Sequence, residues 1–281
     1  MRMRTSLRER RRQVIYVVPN LLTTGNLFCG LYAIMAVFGA NYMKAAIAIL
    51  VALVFDMLDG QSARWTKTTS QFGIEYDSLA DLVSFGVAPG MLIYSWALSS
   101  YGLVGLAVVF AFVGCGALRL ARYNVLAATA DNRHFMGLPI PAAAATIASL
   151  MLLDHHILRL GREVKPVLIL IVTFVLAFLM VSTIKYTKFK GMKLRAGEGF
   201  MYLVWGVIGV MLIVAAIAAL ARISQAEPEM LISIALFVLF AAYALSGVVM
   251  LAVNLMRRTA RRSLEPERPS PFPSPHGGED R

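Results

Sequence analysis

The sequence has 281 residues, of which 58% are hydrophobic and only 15% are charged, with a net charge of +11. A soluble domain usually carries about 25% charged residues, so this composition excludes an ordinary soluble globular protein. Several apolar stretches reach the ~20 residues that a helix needs to cross a bilayer. The sequence therefore predicts an all-α, polytopic membrane protein, and it lacks the strand-like alternation of a membrane barrel.

Eight apolar stretches are predicted to span the membrane. They lie near 17–38, 43–63, 78–99, 103–124, 139–155, 165–184, 200–221 and 230–255. With the N-terminus in the cytoplasm, 22 Lys and Arg residues fall in inner segments and five in outer ones. The positive-inside rule then puts both termini on the cytoplasmic side of a cell (inner) membrane. This asymmetry also accounts for the positive charge, so no nucleic-acid partner is expected.

Three regions follow from these patterns. Residues 1–13 carry six arginines and are predicted to be a basic cytoplasmic segment that meets anionic membrane lipids. Residues 14–256 form the predicted transmembrane domain, in which the candidate functional residues described below lie. The tail, 257–281, is basic and then Pro-rich, and we expect it to be disordered because it cannot bury a core.

The first span carries polar residues on one helical face. Asn20, Thr23 and Thr24 sit at i, i+3 and i+4. Small polar residues often form hydrogen bonds between membrane helices, so these could serve packing alone. Since carboxylates follow in the next span, we favour the interpretation that this face lines a ligand cavity near the cytoplasm.

Four carboxylates follow between and within the second and third spans. Asp56 and Asp59 are spaced i,i+3, and Asp77 and Asp81 are spaced i,i+4, so each pair shares a helical face. Ionisable side chains inside a bilayer are costly and mark functional sites. Ligand sets made only of oxygen suit Mg²⁺, Mn²⁺ or Ca²⁺, and do not favour zinc. Capping of a helix and ion pairs with basic neighbours could explain one or two aspartates, but not four on converging faces.

Small residues accompany these acids. Gly60 and Ala63 lie i+4 from the first two aspartates, so a bulky ligand could approach the backbone there. Arg64 follows with a side chain suited to phosphate. Gly73 is predicted to lie in the connecting segment before the third span, at a tight turn or beside a nucleobase.

The pattern D-x-x-D-G-x-x-A-R, eight residues, G-x-x-x-D-x-x-x-D runs from Asp56 to Asp81. It resembles the signature of the CDP-alcohol phosphotransferases, with no departure. The resemblance implies that Asp56, Asp59 and Asp77 hold two divalent ions, and that Asp81 acts as general base while also reaching a metal. It further implies that Gly60, Ala63, Arg64 and Gly73 accommodate a CDP-lipid, and the polar face of the first span adds Asn20 and Thr23 to this predicted binding site.

Other stretches resemble one branch of this family, the membrane-embedded phosphatidylserine synthases. They are PNLLTTGNLFCGL (19–31), DSLADLVSFGVAPG (77–90), LRLARYN (118–124), FMGLPIPAAA (135–144) and STIKYTKFK (182–190). The resemblance implies transfer of a phosphatidyl group from CDP-diacylglycerol to L-serine with release of CMP. It also implies a homodimer.

A serine substrate brings a carboxylate, and Arg can pair with a carboxylate through two hydrogen bonds. The candidates for recognition of serine or of a phosphate are Ser84, Arg119, Arg122, Asn124 and Lys185. Topological anchoring would explain the basic members equally well.

Two alternatives remain open at this point. The acceptor could be another alcohol, such as glycerol-3-phosphate, inositol phosphate or choline. More distantly, intramembrane carboxylates could belong to a cation transporter, although transporters often show inverted repeats and ion sites near the bilayer midplane. Neither feature is visible in this sequence.

Overall fold

The computed structural model describes residues 2–66, 70–128, 135–160, 164–182, 185–186 and 228–264. This part of the chain is helical apart from one antiparallel pair of two-residue strands, β1 (Phe135–Met136) and β2 (Lys185–Tyr186). The α-helices are α1 (Arg2–Phe38), α2 (Tyr42–Thr66), α3 (Gln71–Asp81), α4 (Ala88–Ile93), α5 (Leu103–Ala128), α6 (Ile140–Leu153), α7 (Val164–Val181) and α8 (Pro228–Leu264).

Within the described residues, six helical runs are long and apolar enough to cross a membrane. They are Val18–Phe38, Gln71–Tyr101, Leu103–Leu126, Ile140–Leu158, Val164–Val181 and Pro228–Ser246. These runs confirm the polytopic helical fold and correspond to six of the predicted spans. The predicted span 43–63 coincides with the 25-residue helix α2, which is not among the six, and the span 200–221 lies outside the described residues. The count of eight therefore stays a prediction.

The third span is one continuous helical run with two π-helical turns, Leu82–Val87 and Tyr94–Leu98. Pro89 explains the first of them. Proline has no N–H to donate to the carbonyl four residues earlier, and the N–H of Ala88 reaches back five residues to the carbonyl of Val83. The widened turn begins directly after Asp81. π-Turns of this kind are frequent at functional sites.

Helix α6 occupies the centre of the bundle. All but one of its residues, 140–153, are buried, and its first half is rich in alanine. Small side chains let neighbouring backbones approach closely, which is how membrane helices pack without a hydrophobic driving force. Around this centre, α1 packs along α2, and α3 and the first π-turn pack against α1.

Helix α1 approaches the third span closely at Gly30. A Cβ atom at this position would lie only 2.7 Å from the Cα of Ser84, so no larger residue fits without moving a helix. One turn earlier on α1, the carbonyl of Asn26 accepts a 2.9 Å hydrogen bond from the hydroxyl of Ser84. These contacts fix the distance between α1 and the helix that carries Asp77 and Asp81.

A buried ion pair joins the other end of the bundle. Asp154 is 3% exposed, and its Oδ2 lies 2.7 Å from Nζ of Lys165. Its Oδ1 accepts a 2.8 Å hydrogen bond from the N–H of Leu160. The same ammonium lies 5.4 Å from the ring centroid of Trp96. Three helical segments, which carry Trp96, Asp154 and Lys165, thus meet at this ion pair.

Replacing Lys165 by methionine is expected to destabilise the fold by roughly 3–5 kcal/mol, because the buried carboxylate of Asp154 loses its charge partner. The measurement is thermal unfolding of the detergent-purified protein. Lys44→Met, at an exposed lysine, is the matched control and should change the unfolding temperature little. Equal unfolding temperatures for the two variants would show that the ion pair contributes nothing to stability.

Candidate active site

Three of the four predicted carboxylates form one cluster. Asp56 and Asp59 project from the second half of α2 and Asp77 from α3, and each offers an oxygen atom within 4.8 Å of the other two. Asp59 is buried, whereas Asp56 and Asp77 are partly buried. The convergence of two helix faces that the spacing predicts is therefore present in the structure.

The cluster suits a divalent cation. Three carboxylate oxygens at this separation repel one another unless a cation or a proton lies between them. In addition, Oδ1 of Asp77 is buried and has no hydrogen-bond partner among the described residues. A buried acceptor without a partner is costly, and a hard cation such as Mg²⁺ or Mn²⁺ would satisfy it.

Helix α1 contacts the carboxylate cluster through a hydrogen bond to Asp59. The hydroxyl of Thr23, which is 4% exposed, donates a 2.8 Å hydrogen bond to Oδ2 of Asp59. The partly buried Asn20 lies further toward the N-terminus of α1, and its Oδ1 would be 3.7 Å from a Cβ atom at Gly73. The polar face of α1 that the sequence indicates thus borders both helices that carry the aspartates.

Asp81 lies outside the three-carboxylate cluster, although the electrostatic fields of Asp56 and Asp77 act on it. It is 7% exposed, and its Oδ1 accepts a 3.0 Å hydrogen bond from Nδ2 of Asn26. The sequence analysis did not single out Asn26. The available signal was spacing, because Asn26 follows Asn20 and Thr23 at steps of three residues on one side of α1.

The glycines and small residues of the motif occupy the ends of α2 and α3. Gly60 is partly buried, directly after Asp59. The backbones of Ala63 and Arg64 belong to the last turn of α2, and their side chains lie outside the described part. The prediction that Gly73 lies in the connecting segment was wrong. It belongs to the first turn of α3, where its N–H donates a 3.0 Å hydrogen bond to the capping hydroxyl of Ser70.

Ser84 has a packing role in the structure. It is completely buried, and its hydroxyl donates to the carbonyl of Asn26 on α1. This contact covers the hydroxyl with α1, and the role of Ser84 in substrate recognition stays a prediction.

The two arginines of α5 have different environments. Arg119 is 8% exposed, its Nε has no hydrogen-bond partner among the described residues, and it interacts electrostatically with Asp81 and with Tyr243 on α8. Arg122 is exposed. Because the buried N–H at Nε of Arg119 is available as a donor close to Asp81, this guanidinium is a suitable partner for an anionic substrate group.

The other two recognition candidates are Asn124 on α5 and Lys185 in β2. Asn124 donates from Nδ2 to the hydroxyl of Ser78 (3.0 Å) and to Oε2 of Glu75 (3.2 Å), so it joins α5 to α3. For Lys185 only the backbone is described, and it pairs with Met136 in the short β-ladder.

Residues 16–184 match the family model of the CDP-alcohol phosphatidyltransferases. The chain is 43% identical over 181 residues to a CDP-diacylglycerol–serine O-phosphatidyltransferase of Helicobacter pylori, covering 64% of this chain and 75% of that protein. The enzyme of the same name from Bacillus subtilis is 37% identical over 173 residues, with 62% and 91% coverage. An archaetidylserine synthase of Methanothermobacter thermautotrophicus is 40% identical over 177 residues, with 62% and 71% coverage.

Proposed function

The chain belongs to the CDP-alcohol phosphatidyltransferase family, and on that premise we propose that it transfers the phosphatidyl group of CDP-diacylglycerol to L-serine, giving phosphatidylserine and CMP. The observation that carries this proposal is the carboxylate cluster of Asp56, Asp59 and Asp77, at the positions of the family motif. The choice of serine is supported by the names of similar proteins from two bacteria and an archaeon.

The residues that would hold divalent metal are Asp56, Asp59 and Asp77, with Asp81 beside them. A divalent cation there would offset the negative charge of the diphosphate of CDP-diacylglycerol and of the transition state. The small side chains at Gly60, Ala63 and Gly73, together with Arg64, would leave room and a positive charge for the CDP group. Asn20 and Thr23 would form the α1 wall of this cavity.

Asp81 would act as the general base. The serine hydroxyl is a poor nucleophile until its proton is removed in the transition state. As the proton passes to the carboxylate of Asp81, the serine oxygen forms a bond to the phosphorus that carries diacylglycerol, and the bond from that phosphorus to the CMP oxygen breaks. Positioning and charge stabilisation supply most of the catalysis in such phosphoryl transfers.

The protein would work as a homodimer in the cell (inner) membrane, with its termini and the active site on the cytoplasmic side. The distribution of Lys and Arg supports this orientation. The aspartates lie toward the C-terminal end of α2 and in the first part of the helical run Gln71–Tyr101, the parts of these helices that the charge distribution assigns to the cytoplasmic side. CDP-diacylglycerol in the membrane and serine in solution could both reach a site at that depth.

The deciding experiment measures CMP release from CDP-diacylglycerol by the purified protein with Mn²⁺ or Mg²⁺, with and without L-serine. Serine-dependent release is expected. Release that required a different alcohol would keep the family chemistry and overturn the acceptor. Absence of release with any alcohol, together with metal-driven ion flux in vesicles, would favour a transporter.

Arg119→Gln is expected to raise the KM for serine by about 30-fold or more, corresponding to ~2 kcal/mol or more for one partner of a buried charge pair. We propose that the guanidinium of Arg119 binds the carboxylate of serine, so the KM for CDP-diacylglycerol should change little. Arg122→Gln, at the exposed neighbour, should have a much smaller effect. Steady-state kinetics with each substrate varied in turn provide the measurement, and equal effects of the two substitutions would contradict the assignment to Arg119.

A further inference from the structure

Asn26 is completely buried in α1, and its Nδ2 donates a 3.0 Å hydrogen bond to Oδ1 of Asp81. We propose that Asn26 is a positioning residue that holds the carboxylate of Asp81 in the orientation needed to take the proton of the acceptor alcohol. This inference rests on the proposed function, because it assumes that Asp81 is the base. It adds a residue that lies outside the aspartate motif.

The chemistry of the two groups determines how the amide is oriented. An ionised carboxylate only accepts hydrogen bonds, so the nitrogen of the amide must face Asp81. The amide oxygen then points away, and it is buried without a hydrogen-bond partner among the described residues. A buried acceptor without a partner costs folding free energy. Stability therefore does not explain an asparagine at this position, whereas the contact with Asp81 does.

The backbone of Asn26 is itself held in place. Its carbonyl accepts the hydroxyl hydrogen of Ser84, three residues after Asp81 on the same helical run. Gly30, one turn further along α1, permits the close approach of the two helices. Two hydrogen bonds thus join the same two stretches of chain, one to the side chain of Asp81 and one to the backbone of Asn26. With Oδ1 fixed in this way, Oδ2 is the oxygen left to receive the proton.

The neighbouring contact made by α1 serves a different group. Thr23, three residues before Asn26, donates to Asp59, which belongs to the proposed metal ligands. Removing the hydroxyl of Thr23 should therefore affect metal binding, and removing the amide of Asn26 should affect turnover. This separation gives the proposal a kinetic signature that a general packing defect would not produce.

The test compares Asn26→Leu, which is similar in volume and lacks the donor, with the wild-type protein in detergent. We expect kcat to fall about 10- to 100-fold, the usual effect of losing a residue that orients a functional group. The KM values for CDP-diacylglycerol and for serine should stay unchanged, as should Mn²⁺ binding followed by electron paramagnetic resonance. The unfolding temperature should fall little, because the loss of the hydrogen bond to the buried Asp81 is partly offset by removal of the unpaired buried oxygen of Asn26.

Two further variants keep the test decisive. Asn26→Asp retains the shape of the side chain and replaces the donor by an acceptor, so its kcat should also fall. This variant supplies the test if Asn26→Leu does not fold. Thr173→Val is the matched control, because Thr173 is completely buried and, among the described residues, its hydroxyl has a hydrogen bond only to the carbonyl of Ile169 within α7. It should keep wild-type kinetics.

The combination of Asn26→Leu with Asp81→Asn decides whether Asn26 acts through Asp81. If it does, the double variant is no slower than Asp81→Asn alone. A wild-type kcat in Asn26→Leu, or a further 10- to 100-fold fall in the double variant, would overturn the proposal. If the wild-type protein uses another alcohol, the same comparison is made with that acceptor. A wild-type protein that releases no CMP with any alcohol overturns the proposed function and this inference together.

Discussion

Replacing Asp81 by asparagine is expected to lower kcat for serine-dependent CMP release by about 10²- to 10⁴-fold, the usual contribution of a positioned general base. The substitution keeps the size of the side chain and an oxygen that can accept the hydrogen bond from Asn26. It therefore removes basicity and leaves the buried contact between α1 and α3 in place. Binding of CDP-diacylglycerol, measured with a labelled substrate in the absence of serine, should be retained better than turnover.

Glu75→Gln is the matched control for this experiment. Glu75 also lies on α3, where its two carboxylate oxygens accept exposed hydrogen bonds from Gln71 and Asn124, and the single amide oxygen of glutamine can keep one of them. This variant should keep a kcat close to that of the wild-type protein. If Asp81→Asn weakened lipid binding as much as turnover, Asp81 would be mainly a binding residue or metal ligand, and the assignment as base would be wrong.

The helices themselves were predictable from the sequence, because their apolar stretches have the length that a bilayer requires. The prediction 103–124 corresponds to α5 (Leu103–Ala128), and 139–155 to α6 (Ile140–Leu153). The start of the third span was placed at 78, seven residues later than the observed start at Gln71. The reason is physical: the first two turns of α3 carry polar residues, and the capping hydroxyl of Ser70 sets the boundary, not hydrophobicity.

Spacing within a helix predicted the carboxylate cluster only in part. Asp77 and Asp81 share a face, but spacing on one helix does not say which of them reaches the neighbouring helix. That depends on how α2 and α3 cross, and in the structure Asp77 joins Asp56 and Asp59 while Asp81 turns toward Asn26 on α1. The pairing of Asp81 with Asn26 joins residues 55 positions apart, which a helical period cannot reveal.

The arginines of α5 show the same limit. An i,i+3 spacing puts Arg119 and Arg122 near one another, yet only Arg119 is buried beside Asp81. Tertiary packing by α8 contributes Tyr243 to this environment. Because the sequence could not say which side of α5 is covered, it could not choose between the two residues.

Replacing Asp77 by asparagine is expected to raise the Mn²⁺ concentration needed for half-maximal activity. Loss of a residue that only orients a metal ligand weakens metal binding by ~10- to 100-fold, and the effect of losing Asp77 should be larger. Asp77 offers a buried oxygen without a hydrogen-bond partner among the described residues, and the neutral amide oxygen of asparagine is a weaker ligand for a hard cation. Thr23→Val is the comparison, since the hydroxyl of Thr23 donates to Asp59 and lies outside the three-carboxylate cluster. It should fall within that 10- to 100-fold range.

Thermal unfolding provides a second measurement of the same site without any substrate. A cation that binds only the folded state stabilises it, so Mn²⁺ should raise the unfolding temperature of the wild-type protein and change that of Asp77→Asn little. Without metal, the variant should be at least as stable as the wild-type protein, because one of three mutually repelling carboxylates has been neutralised. Destabilisation of the metal-free variant, combined with an unchanged Mn²⁺ requirement, would mean that Asp77 holds the helices together and binds no metal.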